Sequence, residues 1–321
     1  MTDYISAYEY EKNVNPTMKK IPIFQKNILD CDYGVNFINF SDLYNVDYES
    51  TTPNLLASFI KIKHNDFIQL HSENDNENEN DNENDNENDN ENEKTNRAFI
   101  NGASHLFYVL QGKSEIVLDD EKMIVNSGDI LITPFFNSFF IKNNNIEDLQ
   151  IYYINDSPLI NYLGSKPIKK IFKPVVYSKN FLLENLHNLS NPNNNRKGIL
   201  LSNKDTEKIG VNTITPVLWA LYNELPPNTI QRPHKHNSVA LDLCIHCSDS
   251  DNIYTLLGDE LDENGNIVNP TKINWSEGEM FITPPGLWHS HNNTGDTFAY
   301  ILPIQDAGLL LYQRILGIIL H

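Results

Sequence analysis

The sequence predicts an all-β protein built from two copies of one antiparallel barrel or sandwich. Three observations carry that prediction. Apolar residues fall in short runs, such as 105–112 and 114–118, separated by Gly, Asn and Asp turns, with little helical periodicity. A motif recurs at a spacing of 150 residues: Gly128-Asp129-Ile130-Leu131-Ile132-Thr133-Pro134 returns as Gly278-Glu279-Met280-Phe281-Ile282-Thr283-Pro284. At the same offset Asn143 matches Asn293 and Phe139 matches His289, the pattern of a duplicated unit. Finally, a chain of 321 residues has room for two domains, each with a core of its own.

Residues 1–50 mix polar and aromatic side chains without a clear period, and read as an N-terminal extension that packs on the first domain or on a partner subunit. The first domain is expected over 51–155, with strands at 55–62, 66–71, 105–112, 114–118, 123–125 and 130–132. Inside it, residues 73–93 alternate asparagine with acidic residues. With nothing apolar to bury and strong self-repulsion, they are expected to form a disordered, inert insert between strands. Residues 156–212 read as a linker. It holds one helix, at 177–189, where Phe181, Leu182, Leu186 and Leu189 follow a helical spacing, and a polar break at 191–195. The second domain is expected over 213–321. Its strands fall at 217–222, 241–247, 254–257, 267–275 and 299–303, with a hairpin turn at 262–266.

The formal charge of −19 owes much to the insert, which carries 11 of the 43 acidic residues. Without it 32 acids face 24 bases, a net of −8, with none of the Lys and Arg clustering that nucleic acid requires. Three cysteines, Cys31, Cys244 and Cys247, are an odd number in a chain too large to need disulfide staples. Cys244-x-x-Cys247 could suggest a redox pair or a zinc half-site, but no second pair of cysteines exists and the segment reads as a strand. The N-terminus lacks a basic region followed by an apolar stretch, and the apolar run at 315–320 is too short for a membrane span. The expectation is a cytoplasmic protein with no membrane or nucleic-acid partner.

Chemistry concentrates in two segments of the second domain. His234 and His236 are separated by one residue, so in a strand both project to the same face. His289, on another strand, can complete a triangle of imidazoles around one metal and leave the opposite positions open. His291 reads as a neighbour orienting a ligand, a general base or a surface residue. Asp242 is a candidate fourth ligand or a partner orienting an imidazole. Trp219, Tyr222 and Trp288 could line an aromatic pocket or simply fill the core.

These residues resemble the cupin superfamily, and a two-cupin (bicupin) arrangement in particular. Gly278, Pro284, Gly286, His289 and Asn293 match the superfamily's second pattern, and His234 and His236 open its first. The glutamate that usually follows is replaced, its positions being held by Ala240 and Leu241. The resemblance covers about residues 55–305 and implies two double-stranded β-helix (jelly-roll) barrels joined by a short helical linker. Residues 234–241 and 283–291 look like gentisate 1,2-dioxygenases, which bind ferrous iron with three histidines and cleave an aromatic ring with dioxygen. The resemblance therefore implies His234, His236 and His289 as ligands of Fe(II); the leading reading is a dioxygenase acting on a small aromatic or enolic substrate, with His291 or Asp242 assisting with protons. The alternatives are an isomerase or lyase using Mn, Ni or Zn, and a non-catalytic ligand-binding or structural cupin. Those dioxygenases tend to place an arginine where this chain has Asp242, whose charge would repel a carboxylated substrate; Arg232 would compensate if it pointed inward. In the first copy Ala98 and Ile100 stand for the histidine pair, Phe139 for the third ligand, and His105 for the glutamate. That copy is expected to be structural and to take part in packing a homo-oligomer, a dimer or higher.

Overall fold

The computed structural model describes residues 18–72, 97–189 and 197–321, with positions 4–7, 9 and 11 before them. The insert at 73–93 and the polar break at 191–195 lie outside the described residues. The architecture is predominantly β, as expected, with four sheets and a few short helices. Among the described residues no helix is long and apolar enough to cross a membrane.

The first half of the chain contributes a six-stranded sheet and a five-stranded sheet. The six-stranded one orders Val175–Tyr177, Ile130–Pro134, Ser104–Gln111, Leu149–Asn155, Leu56–Ile62 and Gly34–Ile38. The five-stranded one orders Arg97–Phe99, Phe67–His71, Ser138–Lys142, Lys113–Leu118 and Glu121–Asn126. The second half repeats the plan. Its large sheet orders Gln25–Asn27, Glu279–Thr283, Ala240–His246, Ala299–Gln305, Trp219–Leu225 and Lys197–Leu201. Its other sheet runs Thr271–Asn274, Ile253–Gly258, Trp288–Asn293, His234–His236 and Ile318–Leu320, with Thr229–Ile230 also pairing to Trp288–Asn293.

Strand alternation explains how four sheets share three cores. Along Leu149–Asn155, Leu149, Ile151 and Tyr153 face the five-stranded sheet, whereas Tyr152 and Ile154 face the large sheet of the other half. Leu241 and Leu243 do the same from Ala240–His246, so one apolar layer joins the two large sheets. A smaller cluster, including Trp275, Phe281 and Ile301, lies within the second half. Sheets buried on both faces read as continuous apolar runs, which is the pattern of Ile130–Pro134 and Glu279–Thr283.

The segments outside the repeated motif are not separate attachments. Gln25–Asn27 pairs with Glu279–Thr283 of the second half, while Val175–Tyr177 pairs with Ile130–Pro134 of the first. Each half thus receives an edge strand from the segment that leads into the other half. The expected helix forms as Lys179–His187, capped by the Ser178 hydroxyl on the Phe181 amide. Two further short helices, Ser157–Tyr162 and Ala307–Tyr312, stand at the same 150-residue offset. The duplication extends to hydrogen bonds. The Asn143 amide donates to the Ile62 and Glu147 carbonyls, and the Asn293 amide to those of Leu225 and Thr297.

Candidate metal centre

His234–His236 is a three-residue strand held between Trp288–Asn293 and Ile318–Leu320. His234 is the direct antiparallel partner of His289, which sets both side chains on one face, and His236 follows two residues later on that same face. Ring centroids lie 4.0 Å apart for His234 and His289 and 4.8 Å apart for His236 and His289. One ligand nitrogen from each of the three falls within 4.8 Å of the others. Two imidazole nitrogens sharing an ion at about 2.1 Å stand at most about 4.2 Å apart, so the rings need only a small inward adjustment.

The backbone sets the ring orientations. Nδ1 of His236 faces the Ser238 carbonyl at 2.9 Å, and Nδ1 of His289 faces the Leu287 carbonyl at 3.1 Å. A carbonyl only accepts, so each Nδ1 carries the proton and each Nε2 keeps its lone pair. Burial holds His289 well below the usual histidine range, reinforced by the neighbouring imidazoles of His234, His236 and His291. Burial also lowers His236, with the Ser238 carbonyl opposing. Neutral imidazoles are the form that ligates a metal. The donor set fits a divalent ion.

His291 lies beside the triad, its ring 5.9 Å from His289. Its Nδ1 is 2.8 Å from the Thr255 hydroxyl, which in turn accepts the Trp275 indole N–H at 2.8 Å. Asp242 is buried, and the Thr283 hydroxyl donates to its Oδ2 at 2.6 Å. Burial pushes this carboxyl up to about 7, with the Thr283 hydrogen bond opposing. The triad, His291 and Asp242 together line one cavity of about 290 Å³. A cavity of about 150 Å³ takes a benzene ring, so this one has room for a substituted ring and a small second molecule.

Other expectations are redirected. Tyr222 packs between the two large sheets, and Trp219 does not line the cavity; Leu221 and Asn223 do. Trp288 is half-buried beneath the Lys235 ammonium, 4.6 Å from its ring centre. Arg232 is exposed and outside the cavity lining, so it does not offset Asp242. Cys244 lies on a strand, as read, and is buried in the core; Cys247 is half-buried beside it, and both are free thiols. Sequence reasoning missed Ser238, whose hydroxyl bridges His236 Nδ1 and Gln305 Oε1. It also missed Lys197, paired with Glu224 at 2.9 Å on the cavity wall. Thr283 belongs to the repeated motif, and the alternation of that strand could have placed it beside Asp242.

The first copy shows what fills the same space. Phe139 stands where His289 does, and strand register makes Phe107 the counterpart of Asp242, since Phe107 pairs with Leu131 and Asp242 with Phe281. Phe107 stacks on Phe139 at 4.4 Å and on Tyr153 at 4.3 Å. His105 is buried there, its ring nitrogens engaged by the Tyr153 hydroxyl and the Gly102 carbonyl. Register also corrects one assignment: Leu70, not Ala98, stands opposite Phe139 as His234 stands opposite His289, and Ala98 pairs with Leu70 one strand further out. The acidic tract interrupts the spacing just after that strand, which is why counting residues misplaced the pair.

No protein-family model matches the chain. A 5-aminosalicylate 1,2-dioxygenase from Comamonas sp. is 33% identical over 75 residues, which are 23% of this chain and 18% of that protein. The matched stretch thus spans less than a fifth of that relative. Among solved structures, a salicylate 1,2-dioxygenase from Pseudaminobacter salicylatoxidans superposes with a TM-score of 0.68 at 11% identity, covering 99% of this chain and 95% of that one. A variant of that enzyme in complex with gentisate gives 0.65 at 11% identity, over 98% and 91%. The chain therefore has a bicupin fold, shared with these dioxygenase structures over nearly its whole length.

Proposed function

We propose that the chain is a non-haem Fe(II) dioxygenase acting on a small aromatic or enolic substrate, with His234, His236 and His289 as metal ligands. The observation that carries this reading is the three-imidazole cluster facing a cavity. The relatives named for dioxygenase activity add to it. A bound ferrous ion would supply adjacent open positions for substrate and dioxygen. The Ser238 and Leu287 carbonyls would aim the two buried imidazoles, and keeping them neutral lets them ligate without first losing a proton. Leu221, Ile199 and Pro303 would exclude water from one side of the cavity. Asp242 at Oδ1 and His291 at Nε2 are the groups proposed to take or return a proton. In this reading each facing pair of sheets is one jelly-roll barrel, built mainly from 51–155 and from 213–321 with edge strands from the flanking segments, and the first is structural.

The test is oxygen uptake by protein reconstituted anaerobically with Fe(II). Consumption that requires both iron and a phenolic substrate is the expected result. Retention of Mn or Ni without oxygen consumption would point instead to metal-dependent isomerase or lyase chemistry. Failure to retain any metal would leave a non-catalytic binding protein.

A further inference from the structure

We infer that Asp242 sets the substrate class of the proposed site: a small aromatic ring with two adjacent protic substituents, as in an aminophenol or a diphenol, and no carboxylate. This rests on the metal-dependent reading above and goes further by naming what the cavity selects.

Three features of the second half converge on that class. Asp242 is only 2% exposed, and among the described residues the Thr283 hydroxyl on Oδ2 is its one side-chain donor, so Oδ1 remains an acceptor for a ligand. Among the described residues that line the cavity, no lysine or arginine side chain is left over for a substrate carboxylate. The lysine there, Lys197, is already matched to Glu224, whose second oxygen accepts from the Tyr300 hydroxyl at 3.0 Å. Finally, Asp242 and His289 occupy the positions of Phe107 and Phe139, two rings in contact in the first copy. The carboxyl group therefore borders the metal ligands in a space that, one repeat earlier, is filled by stacked rings. A planar ring fits that volume.

The chemistry follows from placing two carboxyl groups in one water-poor cavity. They cannot both ionise without mutual repulsion, so above the pH of about 7 at which Asp242 ionises a carboxylated ring binds only if one of the pair regains a proton. A hydroxyl or amine meets no such obstacle. It donates its proton to Oδ1 and keeps a lone pair for the metal, and a second adjacent heteroatom completes a chelate.

Calorimetric titration at pH 8 under argon of the full chain loaded with Fe(II), its iron content measured in the same preparation, tests this. The ligands are 2-aminophenol, catechol, salicylate and gentisate. Wild-type protein is expected to bind 2-aminophenol or catechol at least tenfold more tightly than salicylate. Asp242→Arg is expected to reverse that order, and Asp242→Asn to abolish the preference, with iron content unchanged in both. Equal or tighter binding of salicylate by the wild type overturns the inference, as does failure to bind either carboxylate-free ligand. Should Asp242→Arg not fold, the wild-type ratio and Asp242→Asn still decide. Loss of iron from the wild type itself would instead remove the metal-dependent reading, and the inference with it.

Discussion

His105 is as deeply buried as His289, yet both its ring nitrogens are already spoken for, by the Tyr153 hydroxyl and the Gly102 carbonyl. Burial holds its pKa down to about 3 from an ordinary 6.5. The unfolded chain takes up this proton near pH 6.5 and the folded one only near 3, so the associated stability is complete above 6.5 and is lost as pH falls through that window. Replacing the imidazole, as in His105→Gln, should flatten the pH dependence of urea unfolding there by up to about 1.4 kcal/mol per pH unit. Asp156, which burial pushes up to about 6, works in the opposite sense, but it is common to both proteins and drops out of the comparison. Matching slopes would contradict a buried neutral imidazole. The residues of the triad were legible in the sequence because His-x-His has a fixed meaning on a strand. The partners of those residues were not. Ser238 reaches Gln305 across 67 positions, a contact that strand pairing creates and no local spacing announces.

The same duplication that placed His289 also explains the glycine that opens each motif. Gly128 and Gly278 have φ of +89° and +76°, in the left-handed region. Each also stands against the segment exchanged from elsewhere in the chain. A Cβ on Gly278 would lie 3.0 Å from the Ile28 side chain, and one on Gly128 would lie 2.6 Å from that of Lys179. Lysine can swing aside at little cost, whereas Ile28 is buried beneath the edge strand. Gly278→Ala should therefore lower stability by about 1–3 kcal/mol in urea unfolding, from backbone strain plus crowding. Wild-type stability in that variant would argue against the tight turn. The main strands were readable from their alternation, but Gln25–Asn27 and Val175–Tyr177 were not. Three residues carry no period, and their strand character comes from the partner edge that waits for them.

Across the whole molecule, the two halves share a buried layer and trade edge strands, so they form one body whose stability is common property. Within it the first half fills its interior with stacked aromatic rings, and the second opens a cavity beside three imidazoles. The acidic tract enters between Phe67–His71 and Arg97–Phe99, at the end of the molecule's smaller first sheet. Deleting residues 73–93 should leave both the thermal midpoint and the metal content of the protein close to wild type, measured by calorimetry and elemental analysis; loss of either would give the tract a structural role.

The proposed site stands or falls with three imidazoles of the second half meeting one cation. Iron content after anaerobic reconstitution and gel filtration, compared between wild type and His289→Ala, tests this most directly. About one ion per chain in the wild type and almost none in the variant is the predicted result. A variant that folds and still retains the wild-type amount would contradict it.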